Sequence, residues 1–376
     1  MSTNATTSLP STPDERLRKT SALRKSLMKP ELGALCGTVL VFLLFFAVAP
    51  TSGMFSLEGV MNWGAVSAQF AVIAVGACLL MITGEFDLSI GSMIGFSGMV
   101  IALASKTLGF PIWAAILSAF AVALLIGALN GWMVVRTGLP SFIVTLASLF
   151  ALRGLTIYAP TSLDHSTIIG GLGPLIQGDW LAPAFNGKVL RPLFSWLADA
   201  GLIARFKAGA KAGRPVVEGI PMLMVWAAVL VILAQVVLTR TVFGNWIFAS
   251  GGDAAAARNV GVPATRVKIL MFMLSAFCAT VFAACQVLDV GSAAADRGLL
   301  KEFEAIIAVV IGGTLLTGGY GSALGAALGA LIFGVVQQGL FFAGVDSSLF
   351  RVFLGLILLV AVLLNTYIRR AITGER

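Results

Sequence analysis

Long apolar stretches recur along this chain, and they constrain its fold more than any other feature. The runs are about 18 to 25 residues of mostly Leu, Val, Ile, Ala and Gly, the length at which a helix crosses about 30 Å of hydrocarbon. In lipid, only α-helices and closed β-barrels satisfy all backbone hydrogen-bonding groups. These runs are too long and too continuously apolar for barrel strands, so the spans are predicted to be helices. Charged residues make up 11% of the chain, against about 25% in soluble domains. The sequence therefore predicts an all-α membrane protein.

About ten transmembrane helices are predicted, at residues 32–48, 60–82, 88–105, 111–135, 142–158, 222–238, 267–288, 305–316, 322–342 and 349–367. The eighth is short, which indicates that some helices are broken or re-entrant. Ala47-Val48-Ala49 resembles a signal-peptidase site, but the long polar leader favours a first span that is retained.

Basic residues predict the orientation, because Lys and Arg concentrate in cytosolic segments. Residues 1–30 form a polar, basic segment that we expect to be disordered and cytosolic, and ten crossings also place the tail 369–376 in the cytosol. Residues 31–368 form a single transmembrane domain. Its outer loop insertion, about 159–221, carries aromatic and aliphatic side chains that favour an amphipathic helix on the outer surface: Trp180, Phe194, Trp196 and Leu197.

One pattern occurs twice, 234 residues apart. Residues 73–95 (IAVGACLLMITGEFDLSIGSMIG) align without a gap with 307–329 (IAVVIGGTLLTGGYGSALGAALG), and seven of the 23 positions are identical. Paired apolar hairpins with glycine interruptions are typical of transporter repeats, with the solute path near the breaks. Glycines spaced by four are predicted to share a helix face and to allow close helix packing: Gly91, Gly95, Gly321, Gly325 and Gly329.

Several kinds of chemistry are excluded by what the sequence lacks. It has no GxxxxGK[ST] loop for ATP, one histidine (His165), and four cysteines without CxxC spacing. Much of the net charge of +8 comes from Lys and Arg in the segments that flank the spans. It therefore does not indicate that the protein binds nucleic acid. We therefore expect no catalytic residues, no metal and no cofactor bound by this chain.

Two carboxylates, Glu85 and Asp87, lie at the first break. Ionisable groups at membrane depth are costly and usually functional, so they are candidates for the solute path. Two alternatives remain: the break reaches water and Asp87 caps the next helix, or the acids form a proton or cation relay. Arg153, towards the outer end of the fifth span, is interpreted as a structural residue that extends its side chain to the interface.

The segment 248–268 (FASGGDAAAARNVGVPATRVK) is predicted to contain a short cytosolic helix. Asp253 is placed to cap it, Gly261 to end it, and Pro263 follows. A capped helix held between two spans suits docking into a cleft of another protein. A passive linker is the alternative.

The same stretches carry a family resemblance, in the motifs ITGEFDLSIGS (82–92), LPSFIVTLASLFALRGL (139–155), ASGGDAAAARNVGVPATRVKI (249–269) and AIIAVVIGGTLLTGGYGSALGAALGALIFGVV (305–336). Over most of residues 35–368 the chain resembles the permease subunit of bacterial ABC sugar importers, the ribose, xylose and galactoside branch. Glu85 and Phe86 depart from it, standing where many members have smaller or aliphatic residues. The outer loop is also longer than usual.

The resemblance implies a multi-pass protein of the bacterial inner membrane that imports a monosaccharide or related polyol. Two permease subunits, identical or different, would form the pore in the lipid. Two cytosolic ATPases, holding ATP and Mg²⁺, would grip a coupling helix at about 249–262, and a periplasmic sugar-binding protein would deliver the solute. It implies ATPase-coupling residues Gly252, Asp253, Ala255, Ala256 and Gly261, and translocation-path residues Glu85, Asp87, Ser89, Phe142, Gly313 and Thr314. A secondary transporter, or an ABC permease for nucleosides or branched-chain amino acids, is the alternative.

Overall fold

The structure is a computed structural model that describes residues 30–48, 50–207 and 212–346, with isolated positions between 349 and 359. The elements in chain order are α1 (Pro30–Val48), α2 (Leu57–Ile82), α3 (Ile90–Lys106), α4 (Ile112–Thr137), α5 (Ser141–Asp164), β1 (Ile168–Ile169), α6 (Gly173–Ile176), α7 (Pro183–Asn186), β2 (Lys188–Val189), α8 (Arg191–Asp199), β3 (Ile220–Pro221), α9 (Met222–Arg240), α10 (Val242–Gly252), α11 (Ala254–Asn259), α12 (Ala264–Val290), β4 (Ala293–Ala294), α13 (Lys301–Ile311) and α14 (Ala323–Phe342).

The predicted all-α membrane fold is confirmed. Seven of the described helices are long and apolar enough to cross a membrane, and α3 is a shorter apolar helix of 17 residues. The predicted eighth span corresponds to α13, whose 11 residues extend only about 16 Å at about 1.5 Å per residue. Residues 1–29 of the predicted N-terminal segment, the tail 369–376 and most of the tenth span lie outside the described residues.

Helix α2 lies at the centre of the bundle, with α12 and α14 packed along it. α4 packs on α12, and α1 packs on α14. The outer helices α1, α5 and α9 are mostly exposed although they are strongly apolar. Exposed apolar faces on the outer helices are what a bundle surrounded by lipid requires.

Glycines let the central helices approach closely, because lipid provides no hydrophobic force that pushes helices together and packing contacts must do so. A Cβ atom built on Gly127 of α4 would lie 2.8 Å from the carbonyl oxygen of Phe272 in α12. One on Gly131 would lie 2.8 Å from the Cα atom of Ile269. Gly127 and Gly131 are also spaced by four residues, the spacing predicted to allow close packing, although they were not among the predicted packing glycines.

The segment between α5 and α9 contains the predicted amphipathic helix, which is α8. Phe194 is buried and Trp196 is exposed, so the two faces differ as expected. Trp180 was expected on the same helix, but it lies between α6 and α7 and is exposed. The antiparallel pair β1–β4 joins this segment to the turn after α12.

Candidate functional site

Two non-helical breaks correspond to each other in the two copies of the repeat. We call residues 83–89 break 1 and residues 312–322 break 2. Gly84 has φ +81° and Gly318, 234 residues later, has φ +80°, a left-handed conformation that glycine adopts without steric cost. A Cβ on Gly318 would lie 2.8 Å from the Cα atom of Gly84. The repeat is therefore present in the backbone conformation, and its two breaks touch.

A third segment, the end of α10, meets both breaks. We call this meeting point, formed by 82–84, 251–252 and 317–319, the glycine junction. The N–H of Gly319 donates to the carbonyl oxygen of Ile82 at 2.8 Å. A Cβ on Gly319 would lie 3.0 Å from the Cα atom of Gly252, and one on Gly251 would overlap the Ile82 carbonyl oxygen. The end of α10 therefore contacts both breaks through backbone atoms.

The short helix predicted after this point is confirmed as α11. Its cap is Asp253, whose Oδ1 accepts the N–H groups of Ala255 and Ala256, both at 2.9 Å. Gly261 follows the helix with φ +87°. The predicted range 249–262 is divided, because 249–252 belong to α10 and the chain turns at Asp253.

α11 is attached to the bundle by one face. Ala257 is buried, whereas Gly252, Asp253, Ala255 and Ala256 are exposed. Of the two adjacent glycines, the exposed Gly252 was predicted to be functional, and the packed Gly251 was missed. A Cβ on Gly252 would meet nothing within 4 Å. The Gly-Gly pair alone could not reveal which residue is packed.

Asp87 is a buried carboxylate whose two oxygens are both hydrogen-bonded. Oδ1 accepts the Ser89 N–H at 2.8 Å and the Ser89 hydroxyl at 2.5 Å, and Oδ2 accepts the Ser275 hydroxyl at 2.7 Å. Asn130 donates to Ser89 Oγ at 3.3 Å and accepts from Ser148 at 2.5 Å. The carboxylate therefore joins break 1 to α12 and, through Ser89 and Asn130, to α4 and α5.

The structure does not support the alternative in which Asp87 caps α3. The N-cap residue of α3 is Ser89, and Asp87 instead bonds two residues ahead within the break, as in an Asx turn. Asp87 and Ser89, two of the predicted path residues, are thus in direct contact.

The first turn of α5 supports the other side of break 1. Ser141 Oγ accepts the N–H of Phe86 at 3.0 Å, and Thr145 Oγ1 accepts the N–H of Leu88 at 3.1 Å. Phe142, which was predicted to line the path, is exposed on α5. The motif at 139–155 therefore contacts break 1 through the hydroxyl groups of Ser141 and Thr145. Neither residue was singled out from the sequence.

Glu85 turns away from the Asp87 network. Its Oε1 atom pairs with Nζ of Lys268 at 2.5 Å, and the side chains are only 12% and 18% exposed. The pair lines a cavity of about 290 Å³ together with Arg258 of α11 and the α4–α5 turn. Lys268 lies in the first turns of α12, so this ion pair connects break 1 to the segment that follows α11.

Break 2 contains the remaining predicted path residues. Thr314 is buried with its Oγ1 atom 3.4 Å from Cys78 Sγ of α2, and Gly313 has φ +87°. The six path residues therefore fall into separate environments: Asp87 with Ser89, Glu85 with Lys268, Thr314 with Cys78, Gly313 in a turn, and Phe142 on an exposed face.

The predicted packing glycines all lie at close contacts. A Cβ on Gly325 or Gly329 would overlap the carbonyl oxygen of Gly312 or Ala308. Gly321 was expected on the same helix face, but α14 begins at Ala323 after the N-cap Ser322. A Cβ on Gly321 would instead lie 2.7 Å from Thr314 Oγ1 within break 2.

Gly91 and Gly95 of α3 face the turn after β4. A Cβ on Gly91 would overlap the carboxylate of Glu302, and one on Gly95 would lie 2.7 Å from the Arg297 carbonyl oxygen. Arg153 donates to the carbonyl oxygens of Ala295 at 2.9 Å and Arg297 at 3.3 Å. These hydrogen bonds support the structural role expected for Arg153, and its extension to the membrane interface stays a prediction.

These features define a helical multi-pass membrane protein whose two related halves meet at broken helices, as transporters do. The chain belongs to the family described as "Branched-chain amino acid transport system / permease component", whose model matches residues 59–362.

Relatives extend the match over nearly the whole chain. The xylose transport system permease protein XylH of Escherichia coli K12 is 32% identical over 359 residues, covering 88% of this chain and 91% of the relative. The ribose import permease protein RbsC of the same strain is 30% identical over 333 residues, covering 87% and 92%. A probable ABC transporter permease protein of Sinorhizobium fredii, y4mJ, is 31% identical over 313 residues, covering 82% and 83%. No solved structure matches the chain. The protein is a multi-pass permease of the inner membrane.

Proposed function

We propose that this chain is the membrane-spanning subunit of an ABC importer for a monosaccharide or related polyol, driven by a separate ATPase. The names of the xylose and ribose permeases support the substrate class. The observation that carries the coupling is the capped, exposed α11, which continues from an α10 end that touches both breaks. A passive linker would not need these contacts.

In this proposal both termini are cytosolic, and α11 is the cytosolic coupling helix. The ATPase holds ATP and Mg²⁺ and contacts the exposed face that includes Gly252, Asp253, Ala255 and Ala256, with Gly261 ending the helix. A periplasmic binding protein delivers the sugar to the opposite side, near 159–221. A second permease subunit completes the pore, and the path runs beside the two breaks.

One observation favours a second substrate class. The family description names branched-chain amino acid transport, whereas the relatives named for a substrate transport xylose and ribose. A periplasmic binding protein that co-purifies with this chain would separate the two substrate classes. Purified and titrated with xylose, ribose, leucine and a nucleoside, it is expected to bind a monosaccharide. Binding of leucine or the nucleoside alone would overturn the sugar assignment.

The N-cap of α11 gives a direct test of docking. Asp253→Ala removes the acceptor for two backbone N–H groups, which costs about 1 kcal/mol of local helix stability. We expect this variant to retain less ATPase on co-purification from membranes. Asp253→Asn keeps a side-chain acceptor and is expected to retain wild-type association. Equal retention by Asp253→Ala, Asp253→Asn and wild type would contradict the docking assignment.

A further inference from the structure

We infer that the Glu85–Lys268 ion pair is a positioning link that pulls break 1 along when the coupling helix moves. The inference rests on the proposed function, because it requires an ATPase that displaces α11. It assigns Glu85 a role other than lining the solute path.

Position in the chain makes the pair suited to this role. Lys268 lies in α12 shortly after α11, and Glu85 lies in break 1 between α2 and α3. The two residues are 183 positions apart in sequence, yet their charged atoms are 2.5 Å apart. Because both side chains are largely shielded, solvent and salt screen the pair less than they screen an exposed pair.

The glycine junction and the ion pair resist different displacements. Steric contact between Gly251 and Ile82 opposes closer approach of α10 to break 1, whereas the dispersion attraction of this small contact opposes separation only weakly. Opposite charges attract and therefore oppose separation. Together the two contacts couple break 1 to the α10–α12 segment in both directions of an ATP-driven cycle.

The neighbouring cavity allows the link to move. Its volume is about 290 Å³, and its lining includes Arg258 of α11 and the turn residues Gly138, Leu139 and Pro140. Arg258 is a second cation at the same cavity, so Glu85 remains near positive charge when α11 shifts. In this way the negative charge of Glu85 stays close to a positive charge while α11 moves.

The test uses the full complex of permease, ATPase and binding protein in proteoliposomes, with labelled xylose and ribose as probes. Three quantities are measured for each variant: ATPase retained on co-purification, ATP hydrolysed, and sugar imported. For Glu85→Gln and for Lys268→Gln we expect ATPase retention to be unchanged and the sugar imported per ATP to fall about tenfold. The charge exchange Glu85→Lys with Lys268→Glu is expected to restore most of this ratio.

Lys301–Glu304 provides the matched control. This pair is also 2.5 Å apart and has side chains 23% and 17% exposed, but both residues lie on α13. Lys301 also lies over the ring of Phe70 in α2, a contact that Glu304→Gln leaves in place. This change removes an ion pair without touching break 1 or the α10–α12 segment, so it is expected to keep the wild-type ratio of sugar to ATP.

The outcomes separate this inference from the proposed function. If wild type neither retains an ATPase nor imports either sugar, the proposed function fails. If wild type imports sugar and Glu85→Gln imports it with the same ratio, only the link is overturned. Thermal unfolding in detergent identifies misfolded variants. A double exchange that unfolds like wild type but stays as uncoupled as the single variants would also overturn the link.

Discussion

Gly251→Ala is expected to abolish most sugar import by the assembled importer. The added Cβ atom would overlap the Ile82 carbonyl oxygen and would lie 2.8 Å from the Gly319 backbone nitrogen. Because these are backbone atoms, relief requires α10 to move away from both breaks, and overpacking of this kind costs about 1–3 kcal/mol. We expect import measured in proteoliposomes to fall at least about tenfold, since about 1.4 kcal/mol corresponds to a factor of ten.

The adjacent residue supplies the control for this prediction. Gly252→Ala adds the same methyl group where nothing lies within 4 Å, so the glycine junction remains intact. Because Gly252 also lies on the face proposed to contact the ATPase, import is expressed per ATPase retained on co-purification, and for Gly252→Ala this ratio is expected to remain within about threefold of wild type. Equal import by both variants would show that the glycine junction does not transmit movement.

Gly329→Val is expected to destabilise the bundle strongly. The Cβ atom would overlap the Ala308 carbonyl oxygen and would lie 2.9 Å from the Gly312 nitrogen, where α14 packs on α13. The two helices must separate to admit the valine, at a cost of about 3 kcal/mol or more in the free energy of unfolding. Thermal unfolding in detergent should show a midpoint lower by several degrees.

Gly154→Val is the matched change for that measurement. Gly154 lies in the middle of α5, is exposed, and has nothing within 4 Å of its added Cβ. Replacing a helical glycine there is expected to leave the midpoint unchanged or raise it slightly, because glycine is a poor helix former. A midpoint for Gly329→Val that matches Gly154→Val would contradict the close packing of α13 and α14.

Periodic features were predictable from the sequence. The apolar runs predicted the spans, and the repeat 73–95 with 307–329 predicted two breaks that the structure places in contact. The ends of α11 were also predictable, because they depend on neighbouring residues. Asp253 caps the helix just before four alanines, and Gly261 follows its last turn. Each of these signals depends on residues near in sequence or on a repeated pattern.

Contacts between distant segments could not be read in the same way. Glu85 pairs with Lys268 across 183 residues, and nothing in either local sequence specifies the other. Phe142 was expected in the solute path and is exposed, whereas its neighbour Ser141, which was not singled out, makes the hydrogen bond to break 1. Gly251 and Gly252 are indistinguishable in the sequence, and only the fold shows that one is packed and the other is exposed.

Reconstitution tests the central proposal, that this permease is driven by a separate ATPase, most directly. The purified chain is placed in liposomes with or without the ATPase and the binding protein that co-purify with it, and uptake of labelled xylose and ribose is followed with and without ATP. We predict uptake only when the chain, the ATPase, the binding protein and ATP are all present. Accumulation of either sugar by the chain alone would contradict the account.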